Sequence, residues 1–279
     1  MVNMEVLWIF NNQLTGNIPD EVGNMSNLLV IDVVGNQLSG GLPVGVASIP
    51  GLLVLNLGGN SFGGQIPAEY GNMASLENLN LEECELTGVI PGVLANLQNL
   101  SVLRLAKNNF DQGAIPAFIY GMTALTDVRL DKCGLTGGID PSISSLVGLQ
   151  TLSLENNGLT GPIPASISQL ASIQVLTMQE NQLTGAIPDI SAMADLREIN
   201  LSGNGLSGLI PDLTALNSIE KIELRDCGLT GNLNALGNNP AASITDVTSL
   251  RKYFPVPLWC CQYSFALRPS SFSAIFRVD

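Results

Sequence analysis

The sequence predicts an α/β repeat protein in which about ten short units stack into a solenoid. An apolar pattern recurs every 23–25 residues, and each copy alternates apolar and polar positions as a short β-strand does. A stretch rich in Gly and Pro follows each strand and turns the chain. Because one unit is too small to bury its own apolar side, neighbouring units must share one core. Parallel strands then line one side of the solenoid, and irregular or short-helical returns line the other.

The recurring pattern is L-x-x-L-x-L-x-x-N/C-x-L, whose positions are numbered first to eleventh. Unrelated apolar residues would lose this phase within a few copies, so the regular period is a strong sign of a repeat fold. The ten copies begin at Met4, Leu28, Leu52, Leu76, Leu100, Leu125, Leu149, Ile173, Leu196 and Ile219.

Each strand is predicted to bury one face and to expose the other. In the fifth copy, the alternation places Leu103 and Leu105 in the core and leaves Arg104 and Ala106 in solvent. The return segment of each copy, such as Leu159–Pro164, contains Gly and Pro that prevent a regular helix from forming at once. The exposed strand positions should therefore form one elongated face.

The return segments carry a second motif, L-x-G-x-I-P, which stands at Leu14–Pro19, Leu86–Pro91 and Leu183–Pro188. With this motif, the sequence resembles the plant-specific subclass of leucine-rich-repeat proteins. These include receptor-like kinase and receptor-like protein ectodomains and polygalacturonase-inhibiting proteins. The resemblance implies a leucine-rich-repeat solenoid with a concave parallel sheet, and a partner that is a peptide, another receptor or a microbial enzyme. It also implies an extracellular or cell-surface location within a membrane-associated parent protein.

The repeats divide the chain into three parts. Residues 1–239 are predicted to form the solenoid, without the cysteine-paired N-terminal cap that the resemblance leads one to expect. Residues 240–252 look like a degenerate terminal repeat, and residues 253–279 form an atypical tail that is either a cap or an artefact of gene prediction. We interpret the chain as a fragment of a longer protein. It contains no recognisable signal peptide and no apolar run long enough for a transmembrane span.

Composition excludes several functions. The formal net charge of −13 disfavours nucleic acid and anionic membranes as partners. There is no histidine, so histidine-dependent catalysis and two-histidine zinc motifs are excluded. We predict no cofactor, no metal and no enzyme activity. A hydrolase that uses only carboxylates remains the weakest alternative, since a repeat ribbon offers no closed pocket for two acids.

The ninth position holds Asn or Cys in every copy, and its expected role is structural. An inward amide can hydrogen-bond backbone groups that no strand partner reaches, and Cys can replace it as a small, weak donor. The cysteines lie too many repeats apart for disulfides between them. This ladder consists of Asn12, Asn36, Asn60, Cys84, Asn108, Cys133, Asn157, Asn181, Asn204 and Cys227.

Three N-x-S sequences are possible glycosylation sites: Asn24, Asn99 and Asn200. The first two are expected at exposed positions before strands, and Asn200 is expected to project from the concave face. A further column of Thr and Ser, at the residue after the eleventh position, could in principle form an ice-binding array. Its other interpretation is a second row of polar pairing, and Gly63 and Asp111 interrupt the column.

Charge placement indicates the candidate binding surface. Every basic residue before position 250 lies within a strand window, although residues 1–103 contain no base at all. Arg104 and Arg129 share one position of neighbouring strands, and Lys107 and Lys132 share another three residues later, so like charges face each other. Asp131 and Glu155 are candidates to neutralise part of this charge, or the bases serve an acidic partner. The candidate ligand-binding residues are Glu82, Glu83, Glu85, Arg104, Lys107, Arg129, Asp131, Lys132 and Glu155.

Two interpretations of this charged zone remain open: mutual pairing that keeps the face soluble, or orientation of a partner. The function predicted first is a non-enzymatic module that binds a protein or peptide ligand, with a co-receptor as a further candidate partner. The alternative is a secreted inhibitor of a wall-degrading hydrolase.

Overall fold

The structure, a computed structural model, describes residues 3–231, and these form one solenoid. The predicted degenerate repeat at 240–252 and the tail at 253–279 lie outside the described residues. In chain order the strands are β1 (Val6–Trp8), β2 (Thr15–Gly16), β3 (Val30–Asp32), β4 (Gln37–Leu38), β5 (Val54–Asn56), β6 (Asn78–Asn80), β7 (Val102–Arg104), β8 (Asp127–Arg129), β9 (Thr136–Gly137), β10 (Thr151–Ser153), β11 (Gly158–Pro162), β12 (Val175–Thr177), β13 (Gln182–Gly185), β14 (Glu198–Asn200), β15 (Gly205–Leu209), β16 (Lys221–Glu223) and β17 (Gly228–Thr230).

One sheet contains a strand from each of the ten repeats, and all of its pairings are parallel. Its strand order follows the chain order, so each repeat adds one strand beside the previous one. Equivalent positions pair across the sheet: Leu152 stands opposite Val128 on one side and Leu176 on the other. The predicted ten-repeat solenoid with one parallel sheet is confirmed.

The core is built from the apolar positions of the repeat. Leu100, Leu103 and Leu105 of the fifth repeat have no exposed surface, and equivalent residues of the interior repeats are almost as deeply buried. Arg104 is partly exposed as expected, but the expectation for Ala106 is wrong, since only 1% of its surface is exposed. Its side chain is a single methyl group, which reaches less far from the sheet than the side chain of Arg104 does.

Short 3₁₀ helices form the returns of the first seven repeats on the other side of the solenoid, whereas the returns of the eighth and ninth repeats consist of turns. They span Asp20–Asn24, Val44–Ser48, Ala68–Asn72, Gly92–Asn96, Ala117–Gly121, Pro141–Ser145 and Ala165–Gln169. The residue before each is Pro, whose ring fixes a suitable φ angle, except at Asp140, whose carboxylate accepts a hydrogen bond from Ser142 N at 2.8 Å. The predicted short-helical return is confirmed.

Adjacent returns approach closely because some residues there have no side chain. A Cβ atom added to Gly45 would lie 2.0 Å from the carbonyl oxygen of Asp20, and one added to Gly23 would lie 2.4 Å from that of Gly45. Any larger residue at these two positions would push the first two helices apart. A narrow second sheet, β9-β11-β13-β15-β17, and the pair β2-β4 run beside the returns.

Candidate functional site

The face of the ten-stranded sheet that lies opposite the core is called the open face here. It carries the side chains at the third, fifth and seventh positions of each repeat, because alternate residues of a strand point to opposite sides. Immediately beyond it, the eighth position turns the chain in the left-handed region, with φ of +57° at Lys107 and +50° at Lys132. Both lysines are therefore held at the rim of the open face, in a backbone conformation that favours Gly, Asn and Asp.

The Asn/Cys ladder supports this turn from inside. Asn108 Nδ2 donates to the carbonyl oxygens of Leu81 at 2.8 Å and Leu105 at 2.7 Å, and its Oδ1 accepts from the backbone N–H of Leu86 at 2.9 Å. The side chain thus links its own repeat to the preceding repeat. Asn36, Asn60, Asn157, Asn181 and Asn204 make the same kind of contacts, whereas Asn12 is exposed and bonds only within its own repeat.

The ladder cysteines replace the amide only as donors. Cys84 Sγ lies 3.5 Å from the carbonyl oxygen of Leu57, Cys133 Sγ lies 3.3 Å from that of Leu105, and Cys227 Sγ lies 3.4 Å from that of Leu201. All three are free thiols, and burial raises the pKa of Cys84 to about 12 and that of Cys133 to about 12. The pKa of Cys227 is raised as well, also by burial.

We expect these thiols to be inert in the folded protein, because the thiolate is the reactive form. In a variant in which Cys260 and Cys261 are replaced by Ser, reaction with a disulfide reagent at pH 8 should be about a hundredfold slower than in denaturant. Absorbance of the released thiolate measures both rates. Rapid native reaction of three thiols would contradict the burial of the ladder.

Asp127 is the centre of the ion pairs in the charged zone. Arg104 Nη2 lies 2.6 Å from Asp127 Oδ2, and Arg129 Nε lies 3.1 Å from Asp127 Oδ1. Arg104 and Arg129 stand opposite each other as predicted, but Asp131 and Glu155 form no ion pair with them within the described residues. The direct ion-pair partner of both arginines is Asp127, the third-position carboxylate of β8, rather than either of the two candidate acids.

The other charged candidates differ in their surroundings. Lys107 pairs with Glu83, and this hydrogen bond raises the pKa of Lys107, while Glu85 Oε1 accepts a bond from Ser61 Oγ at 2.9 Å. Within residues 3–231, Glu82, Asp131, Lys132 and Glu155 have no ion pair. Asp131 was expected in solvent, but only 8% of its surface is exposed.

Removal of the Asp127 carboxylate should leave Arg104 and Arg129 facing each other without a neutralising charge. We expect Asp127→Asn to lower the free energy of unfolding by about 1 kcal/mol, since like charges on neighbouring strands are unfavourable. Urea denaturation measures the loss, which should shrink in 1 M NaCl because salt screens the repulsion. Asp111→Asn, at an exposed acid away from the open face, is the matched control. Equal stability of the two variants would show that Asp127 does not hold the arginines.

Buried polar atoms without a partner are concentrated on the open face. Among residues 3–231 there are four: Asn78 Oδ1, Asp131 Oδ1, Gln179 Oε1 and Arg225 Nε. Asn78 occupies a third position, and the other three occupy seventh positions of the sixth, eighth and tenth repeats. Such atoms are rare in folded proteins, because each one costs free energy unless a water, an ion or a ligand satisfies it.

The repeats match known proteins in sequence and in structure. The family model described as Leucine Rich Repeat matches residues 3–25, 51–73, 75–97, 148–170 and 195–215. The ectodomain of the Arabidopsis receptor kinase HAESA, solved with the peptide hormone IDA and the co-receptor SERK1, is 34% identical with a TM-score of 0.77. The alignment covers 81% of this chain and 38% of that one. The chain is a leucine-rich-repeat protein.

Two further relatives extend the comparison. A TDR receptor is 30% identical, with a TM-score of 0.79 and coverage of 85% of this chain and 42% of that one. A plant ice-binding protein is 28% identical, with a TM-score of 0.64 and coverage of 82% and 74%. This leucine-rich-repeat chain therefore spans about two fifths of the receptor ectodomains that it resembles. Among curated proteins, none matches it significantly.

The later members of the hydroxyl column of this leucine-rich-repeat chain lie on the second sheet. Thr160, Thr184, Ser207 and Thr230 are all exposed there. The register pairs Thr160 with Gln182 and Pro162 with Thr184, so the hydroxyls of neighbouring strands are offset by two residues. They do not stand side by side, as a regular flat array would require.

The three N-x-S sequences are not equivalent. Asn24 and Asn99 are exposed, and Asn99 Nδ2 donates to the carbonyl oxygen of Ala74 at 2.9 Å. Asn200 lies on the open face, but only 5% of its surface is exposed and its amide donates to Glu223 Oε2. The expectation that Asn200 projects into solvent is wrong, because the longer side chain of the next strand covers it. Only the first two remain candidate acceptors.

Two features of the site escaped the sequence analysis. The left-handed turn at the eighth position had a usable signal, since Gly35, Gly59 and Gly203 occupy it and Asn or Asp occurs there in other repeats. The unpaired buried atoms had no such signal. They depend on which neighbouring side chains cover each position.

Proposed function

We propose that this chain is a non-enzymatic recognition module, the ligand-binding part of a receptor-like protein at the cell surface, and that its open face binds a peptide or protein. The observation that carries the proposal is the placement of all four unpaired buried polar atoms of residues 3–231 on that face. A ligand that supplies the missing hydrogen-bond partners would remove this cost. No helix in the described residues is long and apolar enough to cross a membrane.

The positions of these atoms indicate the shape of the ligand. Asn78 lies on β6, and Arg225 follows β16, six strand steps away in the sheet order. At ~4.8 Å per step, the two ends are about 29 Å apart, a distance that roughly nine residues of extended peptide can cover. HAESA, which shares the fold, was solved with a peptide hormone and a co-receptor, which supports a peptide ligand and a second receptor as partners here.

Selection from a displayed library of random twelve-residue peptides tests the proposal. Peptides that bind the whole chain should lose at least tenfold in affinity for Val175→Arg, which places a long cation on the open face in β12. Val147→Arg is the matched control, because Val147 is 60% exposed and lies outside the strands. Equal losses in both variants, or none in either, would remove the open face as the binding surface.

The same two variants distinguish the receptor module from the alternative function. A secreted inhibitor of a wall-degrading hydrolase should slow a polygalacturonase and bind it without needing a peptide. Inhibition that depends on Val175, together with failure to select any peptide, would favour the inhibitor over the receptor.

A further inference from the structure

The ion pairs of the open face leave carboxylates, rather than bases, without partners. Arg104 and Arg129 share Asp127, and Lys107 pairs with Glu83. Of the nine candidate residues, those whose side chains have neither an ion pair nor a hydrogen bond within residues 3–231 are Glu82, Asp131 and Glu155 on one side and Lys132 on the other, since Glu85 accepts a bond from Ser61. Three acidic side chains and only one basic side chain therefore lack a partner. An acidic ligand would require the opposite, an excess of unpaired bases.

These three acids occupy one row. The seventh positions of four consecutive strands are Glu82, Ala106, Asp131 and Glu155, so Asp131 is flanked by a glutamate directly on one side and by another beyond Ala106 on the other. All three side chains belong to the open face, because the seventh position points away from the core. The row therefore concentrates negative charge within three strand steps, roughly 14 Å.

Asp131 is the deepest member of the row. Only 8% of its surface is exposed, and its Oδ1 is buried without any hydrogen-bond partner among the described residues. A carboxylate removed from water in this way is costly unless a cation or a donor satisfies it. The sequence places no base at the neighbouring seventh positions.

The flanking glutamates also lack enough nearby positive charge to offset their burial. Burial raises the pKa of Glu82, with Asp131 and Asp127 acting in the same direction and Arg129 and Arg104 opposing them. Burial also raises the pKa of Glu155, with Asp131 and Glu198 adding to the effect and Lys132 and Lys107 opposing it. The bases nearby are thus too few or too far away to compensate for the desolvation of these carboxyl groups.

We propose that Asp131, with Glu155 on the next strand and Glu82 two strands away, is a subsite for a side-chain cation of the partner, the ammonium group of a lysine or the guanidinium group of an arginine. This inference rests on the proposed function and specifies one chemical group of the ligand. Charge-assisted hydrogen bonds to Asp131 would replace the contact that Oδ1 lacks, and they are stronger than neutral ones. No group of three or more acids, cysteines or histidines in residues 3–231 has the arrangement of a metal site.

Small probes test the subsite on the whole chain. N-acetyl-lysine methylamide and N-acetyl-arginine methylamide are titrated while NMR signals of the Ala106 methyl group and the Asp131 amide are followed. We expect saturable shifts at millimolar concentrations, with Kd at least fivefold higher for Asp131→Asn, which keeps the shape and removes the charge. N-acetyl-norleucine methylamide, the uncharged analogue, should cause no shift.

Two controls separate local recognition from general attraction to an acidic protein. Asp111→Asn removes the same charge at an exposed site elsewhere and should leave both Kd values unchanged. Affinity should also fall as pH is lowered through the raised pKa values of Glu82 and Glu155, since protonation removes their charge. Equal binding by Asp131→Asn, a preference for N-acetyl-glutamate methylamide, or saturation by CaCl₂ at lower concentration than by either organic cation would overturn the proposal.

The experiments can refute the cation subsite and the proposed function independently of each other. Library peptides that require the open face but contain no enriched Lys or Arg, and that bind Asp131→Asn unchanged, would refute the subsite and leave the recognition module intact. Cationic probes that bind at Asp131 while no peptide or protein ligand is selected would support the subsite and count against the proposed function.

Discussion

Replacing Leu176 with Asp should unfold the solenoid around the eighth repeat. Leu176 is 2% exposed and lies between Leu152 and Ile199 of the neighbouring strands. The new carboxylate would have no partner in the apolar core, and we expect a loss of about 4 kcal/mol or more in the free energy of unfolding. Urea denaturation followed by circular dichroism measures the loss. Limited proteolysis should show new cleavage near this repeat, because each repeat contacts only its neighbours.

Val175→Asp is the control for this variant. It introduces the same charge at the preceding residue, whose side chain lies on the open face and is only partly buried. We expect a change within roughly 1 kcal/mol there. Wild-type stability of Leu176→Asp, or a larger loss for Val175→Asp, would show that the register of β12 is wrong.

Asn108→Leu should produce the second largest loss, although the new side chain is apolar and similar in size. It removes the donor to Leu81 and Leu105 and the acceptor for the N–H groups of Cys84 and Leu86, at distances of 2.7–3.1 Å. Each backbone group left buried without a partner costs about 1–3 kcal/mol, so we expect a total near 4 kcal/mol. Thermal and urea unfolding both measure it.

Asn108→Cys tests which part of the amide matters. A thiol can still donate to a carbonyl, as Cys84 and Cys133 do in their own repeats, but it offers no comparable acceptor. We therefore expect Asn108→Cys to lower the free energy of unfolding, but by less than Asn108→Leu does. Asn109→Leu, at the exposed neighbour, should change stability by less than about 0.5 kcal/mol. A large loss in that control would mean that Leu itself is not tolerated at this turn.

The candidate site was only partly predictable. The sequence located the charged strand windows, because charged side chains are excluded from the positions that point into the core and fall on those that point away from it. It also placed Arg104 opposite Arg129, which the strand register confirms. It did not identify Asp127 as their common partner. Arg129 lies two residues from Asp127 on the same strand, but the Arg104 pairing depends on the diagonal distance between a fifth position and a third position of neighbouring strands, which spacing along the chain does not supply.

Exposure was the least predictable property, as three residues show. Ala106, Asp131 and Asn200 all occupy positions that alternate away from the core, yet each is at most 8% exposed. Their side chains are short and reach less far from the sheet than Lys or Arg side chains would. The alternation of apolar and polar residues along a strand predicts the direction of a side chain. Its solvent exposure, however, depends on residues of the neighbouring repeats, about 24 residues away in the sequence.

The sequence by itself determined the repeat length, the register, the ten parallel strands and the inward ladder at the ninth position, because each follows from a local pattern that every repeat obeys. Only the tertiary structure decided which charges pair and which remain buried alone. Glu82, Asp131 and Glu155 come from three different repeats, and they share one row because stacking places equivalent positions about 5 Å apart per strand. Whether neighbouring side chains form ion pairs or hydrogen bonds depends on their length and on the diagonal distance between them. The repeat pattern determines neither.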